Sequence, residues 1–136
     1  MKNIAVRRIL VPVDLSSCSR AALGFARSLG ASLGASLEVL FVQQPDETGD
    51  QPTAEAAAKE ELHRFVTSAG GAPVAVRERI TAGDARERIV TIAEKEGFDL
   101  IVLGTHGRTG RARSLAGSVA ESVVRTASQP VVTVRE

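Results

Sequence analysis

Residues 99–118 read DLIVLGTHGRTGRARSLAGS, and their order decides the fold. The run Leu100-Ile101-Val102-Leu103 is apolar without alternation, the pattern of a strand buried on both faces, and we place a strand over residues 99–103. Four glycines, three arginines and a histidine follow, after which Leu115, Val119, Val123 and Thr126 recur at helical spacing. Strand, glycine-rich loop and helix in that order expose consecutive backbone N–H groups at a helix N-terminus, an arrangement suited to phosphate. Ser118, just inside the helix, adds a hydroxyl. Turn chemistry is the alternative: Gly104 ends a strand, Gly110 relieves a turn, and Gly117 lets the helix pack closely.

The same alternation extends toward both termini. Ile9-Leu10-Val11-Pro12-Val13 reads as a first buried strand. Ser16 or Ser17 then caps a helix with apolar positions Ala22, Phe25, Ala26, Leu29 and Leu33, ending around Gly30 and Gly34. Residues 37–42 form a second strand and 45–49 a loop. A second helix carries Ala58, Leu62, Phe65 and Val66 on its core face and stops at Gly70-Gly71, and residues 73–80 alternate as a third strand. Asp84 with Glu87 resembles a capping box for a third helix with Ala85, Ile89, Ile92 and Ala93, closed by Gly97. Gln129-Pro130 ends the fourth helix before a last strand, Val131-Val132-Thr133-Val134. Five strands separated by four helical segments predict an α/β fold: one open parallel sheet in a single domain over residues 1–136, Rossmann-like, with helices on both faces. No internal repeat or low-complexity tract interrupts it.

Composition narrows the function. With 17 Lys+Arg against 16 Asp+Glu there is no net field to attract nucleic acid or an acidic membrane, so any basic patch is local. The absence of Trp and Tyr, with only four Phe, leaves few platforms for stacking bases. Cys18 has no internal disulfide partner, the N-terminus lacks the apolar stretch of a signal peptide, and no apolar run approaches the roughly 20 residues that span a bilayer. We expect a cytoplasmic protein with no membrane or nucleic-acid partner. Cys18 itself is either a small packing residue or a thiol activated by the nearby helix start.

Neither of the two best-known phosphate loops is present: no Gly-Lys pair occurs, and the turn after the first strand has no Gly-x-Gly. Instead Gly104-x-x-Gly107, nine residues, then Gly117-Ser118 resembles the nucleotide-binding signature of the universal stress protein family. Val11-Pro12-Val13-Asp14-Leu15-Ser16, Gly83-Asp84 and the stretch from Gly117-Ser118-Val119-Ala120-Glu121 through Pro130-Val131-Val132-Thr133-Val134 extend the resemblance over nearly the whole chain. It implies the strand order 3-2-1-4-5, which sets the first and fourth strands side by side where the winding reverses and ligands bind.

The resemblance further implies ATP, or AMP or ADP, as ligand, with Mg²⁺. The resemblance sets Asp14 beside the adenosine, with Pro12 and Val13 leading into it; from its place at a strand's end beside a phosphate loop, Asp14 is either a partner of a ribose hydroxyl or the metal, or only a helix-capping or turn carboxylate. Val42 offers backbone groups to adenine, and Gly104, Gly107, Gly117, Ser118 and Val119 hold ribose and phosphates. Arg108, with Arg111 and Arg113, either belongs to a solvated loop or folds over the triphosphate. His106 is a solvated loop residue or a neighbour of the phosphates, not a catalytic base. Two positions depart from many relatives: Phe41 stands where they carry histidine, and Ala120 where some carry a hydroxyl. Relatives commonly dimerise through the last strand, which implies a homodimer through Val131–Val134.

Three function classes follow. An adenine-nucleotide-dependent regulator, read by a protein partner, fits the complete glycine motif. A slow ATP-hydrolysing enzyme is the second, although the His-x-Gly-His motif of nucleotidyl-transferring relatives is absent. A nucleotide-free dimeric interaction module is the third, and such modules usually lose the glycines that this chain keeps.

Overall fold

The computed structural model describes residues 5–44, 51–105 and 117–136. Among these the order is β1 (Arg8–Val13), α1 (Ser17–Leu33), β2 (Ser36–Gln43), α2 (Gln51–Ser68), β3 (Val76–Ala82), α3 (Ala85–Lys95), β4 (Leu100–Gly104), α4 (Gly117–Thr126) and β5 (Val131–Val134). All pairings are parallel, in the order β3-β2-β1-β4-β5. The expected α/β sheet and strand order are therefore both present. Leu115 and the loop residues 106–116 lie outside the described residues, as does the loop expected over 45–49.

The two-residue strand period sorts the side chains into two cores. Ile9, Val11, Val13, Leu37, Val39, Phe41, Leu100 and Val102 face α1 and α2, while Leu10, Leu40, Ile101 and Leu103 face α3 and α4. The unbroken apolar runs are explained by this two-sided burial.

Helix α1 begins at the N-cap Ser16, whose side chain accepts from the Ser19 amide. It ends at Gly34, where a φ of 71° suits the residue without a Cβ. Its buried stripe is Ala22, Leu23, Ala26 and Gly30, so three details of the predicted helix are corrected. Phe25 and Leu33 are exposed, Leu23 replaces them in the core, and Gly30 lies inside the helix. Small residues bring α1 down onto the sheet: a Cβ on Gly30 would stand 2.8 Å from Leu37 Cδ1. The predicted stripe followed apolar size, whereas the packed one follows closeness of approach.

Helix α2 buries Ala58, Leu62, Phe65 and Val66 as predicted. Strand β3 runs to Ala82 instead of Ile80, because its ladder with β2 continues to Gln43↔Ala82. It starts at Val76, past the predicted Pro73. Asp84 caps α3 by accepting from the Arg86 amide at 2.9 Å. Asp99 precedes β4 and ties it to β1: its Oδ2 accepts from the Arg7 and Arg8 amides, each at 3.0 Å.

Candidate functional site

The ends of β1 and β4 meet at the reversal of winding, with α1 leaving toward one face and α4 toward the other. Lateral pairing between the two strands ends at Leu10↔Ile101, although β1 continues to Val13 and β4 to Gly104. Pro12 supplies a physical reason. The Arg8 carbonyl accepts from Asp99 on the β4 side, so residues 8, 10 and 12 face β4, and Pro12 has no N–H to donate there. The strands are thus unlaced at their C-terminal ends, where a doubly wound sheet opens its crevice.

Asp14 stands on the β1 rim, half-buried. Its amide donates to Ser19 Oγ at 3.3 Å, and its Oδ1 accepts from the Ser16 amide at 3.1 Å. Leu15 between them is the only described non-glycine residue with positive φ, 67°. A left-handed leucine costs about 1 kcal/mol, and the Asp14–Ser16–Ser19 bonds hold it. The result is a fixed carboxylate whose Oδ2 has no hydrogen-bond donor among the described residues.

Pro12 and Val13 are buried, and the Val13 side chain belongs to the α1/α2 core, so at the crevice Val13 can present only backbone. On β2, Phe41 is the last residue opposite β1, through Val13↔Phe41. Val42 is therefore the first position of β2 beyond the end of β1. Its side chain packs against the α3/α4 core.

Across the crevice, Gly104 ends β4 against the first turn of α1. Thr105 follows, its amide donating to the Val134 carbonyl at 3.1 Å. Cys18 is buried there, its thiol 3.4 Å from the same carbonyl, in the manner of a packing residue. Gly117 opens α4, whose first amides lack intrahelical partners. Ser118 and Val119 are half-buried in that first turn. Gly107 and Arg108, also expected at the site, lie outside the described residues.

One residue near the site escaped the sequence reading. Arg86, in the first turn of α3, reaches across to α4, where its Nη2 donates to Ser118 Oγ at 3.4 Å. A signal was available: a cation in a helix's first turn opposes the helix dipole, so its placement there calls for a reason.

Asp14 and Val42 at the ends of β1 and β2, Gly104 at the end of β4 and the start of α4 thus gather at the carboxyl edge of one sheet. Fold and crevice together define a Rossmann-like α/β protein with a crevice at the topological switch point. The universal stress protein family model matches residues 5–135. Universal stress protein MJ0531 of Methanocaldococcus jannaschii is 31% identical over 96% of this chain and 82% of its own length. The chain belongs to the universal stress protein family.

Protein MJ0577 of the same organism is 43% identical over 60 residues, which span 44% of this chain and 37% of MJ0577. Its solved structure superimposes over 98% of both chains, with a TM-score of 0.77 and 29% identity. Two more distant structures share the fold. One is a universal stress protein in complex with cAMP, at a TM-score of 0.72 and 24% identity, covering 95% of this chain and 97% of the other. The second, from Arabidopsis thaliana with AMP bound, has a TM-score of 0.70 and 20% identity, covering 96% and 92%.

Proposed function

We propose that this chain binds an adenine nucleotide, ATP with Mg²⁺, in the crevice between β1 and β4, and that occupancy is what it reports. The observation that carries this reading is the anchored Asp14 after β1, with no donor to its Oδ2 among the described residues, at the same edge of the sheet as the α4 N-terminus with Ser118. Adenine nucleotides in solved proteins of the same fold favour the same ligand class.

In this reading Val42 meets adenine through its backbone and Asp14 meets the ribose or the metal. Gly104, Gly107, Gly117, Ser118 and Val119 surround ribose and phosphates, with Arg108 beside them and Pro12 and Val13 forming the floor. Mg²⁺ is commonly held by one or two carboxylates together with phosphates, and Asp14 fits that role. Among the described residues no group of three His, Cys, Asp or Glu side chains could hold a metal alone.

Ground-state phosphate binding needs donors, which the helix N-terminus supplies. Fast hydrolysis also needs a group that positions the attacking water, and the sequence offers no convincing one. Binding with little turnover suits a sensor, because occupancy then follows nucleotide level and differential contacts shift a partner equilibrium. The same reading includes a homodimer through β5, a cytoplasmic location and a regulatory protein that recognises the occupied form.

Mass spectrometry of ligand released from purified protein, joined to titration with Mg-ATP, tests the reading. It expects an adenine nucleotide or saturable ATP binding at one site per chain. Protein that carries none and binds none would refute it. Turnover near one per second or faster, in the range of dedicated enzymes, would replace the sensor with an enzyme.

A further inference from the structure

At the end of the sheet opposite the crevice, the strand period sets three charged residues side by side on the α3/α4 face. Arg8 shares that face with Leu10 on β1, Glu38 shares it with Leu40 on β2, and Arg77 stands beside Glu38 in the β2–β3 register. With Ser36 and Phe98 they line a cavity of about 350 Å³. We infer that this cavity is a second binding site, separate from the crevice, for a small zwitterion: a free α-amino acid, its ammonium on Glu38 and its carboxylate on Arg77.

Glu38 carries the inference. It is 5% exposed, and a carboxylate so buried needs donors for its oxygens. Arg79 donates to Oε2 at 3.2 Å, whereas Oε1 has no donor among the described residues. Nor is Oε1 one of the fully enclosed side-chain atoms that lack a partner, which among the described residues are Arg27 Nε, Arg88 Nε and Gln129 Oε1. It is therefore open to the cavity that Glu38 lines, an acceptor fixed in place with no protein group to fill it.

Arg77 supplies the opposite charge. It is exposed and makes no hydrogen bond or ion pair among the described residues. The neighbouring carboxylates are engaged elsewhere. Glu78, beside Val39 in the register, points to the other face of the sheet, where its Oε2 lies 2.9 Å from His63 Nδ1. Glu96 accepts from Arg79, and Asp99 accepts from the Arg7 and Arg8 amides. Arg8 is itself tied down, lying 4.1 Å over the Phe98 ring and donating to the Glu96 carbonyl. It thus walls the cavity and covers the one aromatic face on which a base could stack.

The row of charges selects the ligand class. A simple anion drawn to Arg77 meets the Glu38 carboxylate, and a simple cation drawn to Glu38 meets Arg77 and Arg79. A molecule with both charges satisfies both residues. Adjacent strands lie about 4.8 Å apart, so the two side chains can close on an ammonium and a carboxylate separated by a few bonds. The phosphates of a nucleotide would be set against Glu38, which keeps this cavity from duplicating the crevice.

Amide chemical shifts of the labelled protein, followed as glycine, L-alanine and L-glutamate are added at millimolar concentration, test this. Sodium acetate and methylammonium chloride probe each charge alone. Saturable shifts at Ser36, Glu38, Arg77 and Phe98 are expected with at least one of the amino acids and with neither single-charge probe. Arg77→Gln, which gives up no partner in the folded chain, should weaken that affinity about tenfold, and Glu38→Gln should weaken it similarly, with thermal melting to check that both are folded. No saturable shift with any of the three amino acids, acetate shifts of the same size, or wild-type affinity in Arg77→Gln would overturn the assignment. Each of these results is independent of whether Mg-ATP binds at the crevice.

Discussion

Gly104 ends β4 so close to α1 that a Cβ there would stand 2.9 Å from Cys18 Sγ and 3.0 Å from both the Cys18 carbonyl carbon and oxygen. Two of those atoms are backbone, so Gly104→Ala must displace the first turn of α1. A cost of about 1–3 kcal/mol is expected, as for overpacking generally, read as a lower urea midpoint. An unchanged midpoint would show that α1 yields freely. The Asp14 pair of substitutions separates geometry from charge. Asp14→Asn keeps an acceptor for the Ser16 amide but loses the charge, and Asp14→Ala loses both. If the carboxylate serves Mg²⁺, both variants weaken Mg-ATP binding by a similar factor; if it serves a ribose hydroxyl, Asn retains most of the affinity. At this scale legibility divided by mechanism. Asp14 was visible because it follows a buried strand and the family signature includes it. Arg86 was not, because its partner lies on another helix and residue spacing cannot show which helix ends adjoin.

Among the elements, β5 carries the clearest consequence. It pairs with β4 on one side, and the Pro130 and Val134 carbonyls accept from Ile101 and Thr105 there. Parallel ladders alternate by two residues, so the polar backbone groups of Val131 and Thr133 face the other edge. Val132 packs against the core, which makes it a poor place to probe assembly. Thr133 is exposed. If copies join through β5, Thr133→Pro should convert a dimer to a monomer in light scattering with little loss of thermal stability. A wild type that is monomeric at micromolar concentration, or a variant of unchanged mass, would count against the β5 dimer. The elements themselves were largely legible, since two-sided burial leaves strands as continuous apolar runs and Gly34, Asp84 and Gly97 mark helix ends. The rotation of α1 was not, because Ala22, Ala26 and Gly30 are chosen for thinness, and thinness is a property of the contact with Leu37. The strand order came from family resemblance, as periodicity alone does not say which strands adjoin.

Over the whole molecule, a network of charged groups lies away from the crevice. At the end opposite the crevice, Arg79 Nη1 donates to Glu96 Oε1 at 2.8 Å and to the buried Glu38 Oε2 at 3.2 Å. The hydrogen bond to Glu96 is the main cause holding the Arg79 pKa above its ordinary value, with Glu38 adding to it and burial opposing it. Nearby, Arg8 stacks 4.1 Å over the Phe98 ring and donates to the Glu96 carbonyl. Arg27 caps the end of α2 through the Val66 and Ala69 carbonyls. Glu38→Ala would leave Arg79 with Glu96 alone and open a space beneath β2. We expect a loss of about 2 kcal/mol, below the range for a fully buried pair because Arg79 is one-third exposed, with nucleotide affinity unchanged.

Nucleotide binding at the crevice has its most direct test in the amide chemical shifts of the isotopically labelled protein, followed as Mg-ATP is added. The crevice reading predicts saturable shifts at Val13, Asp14, Val42, Gly104, Ser118 and Val119, with Arg8, Ser36, Glu38 and Arg77 at the other end unmoved. Saturable shifts confined to that opposite end, or no saturable shifts anywhere, would contradict it.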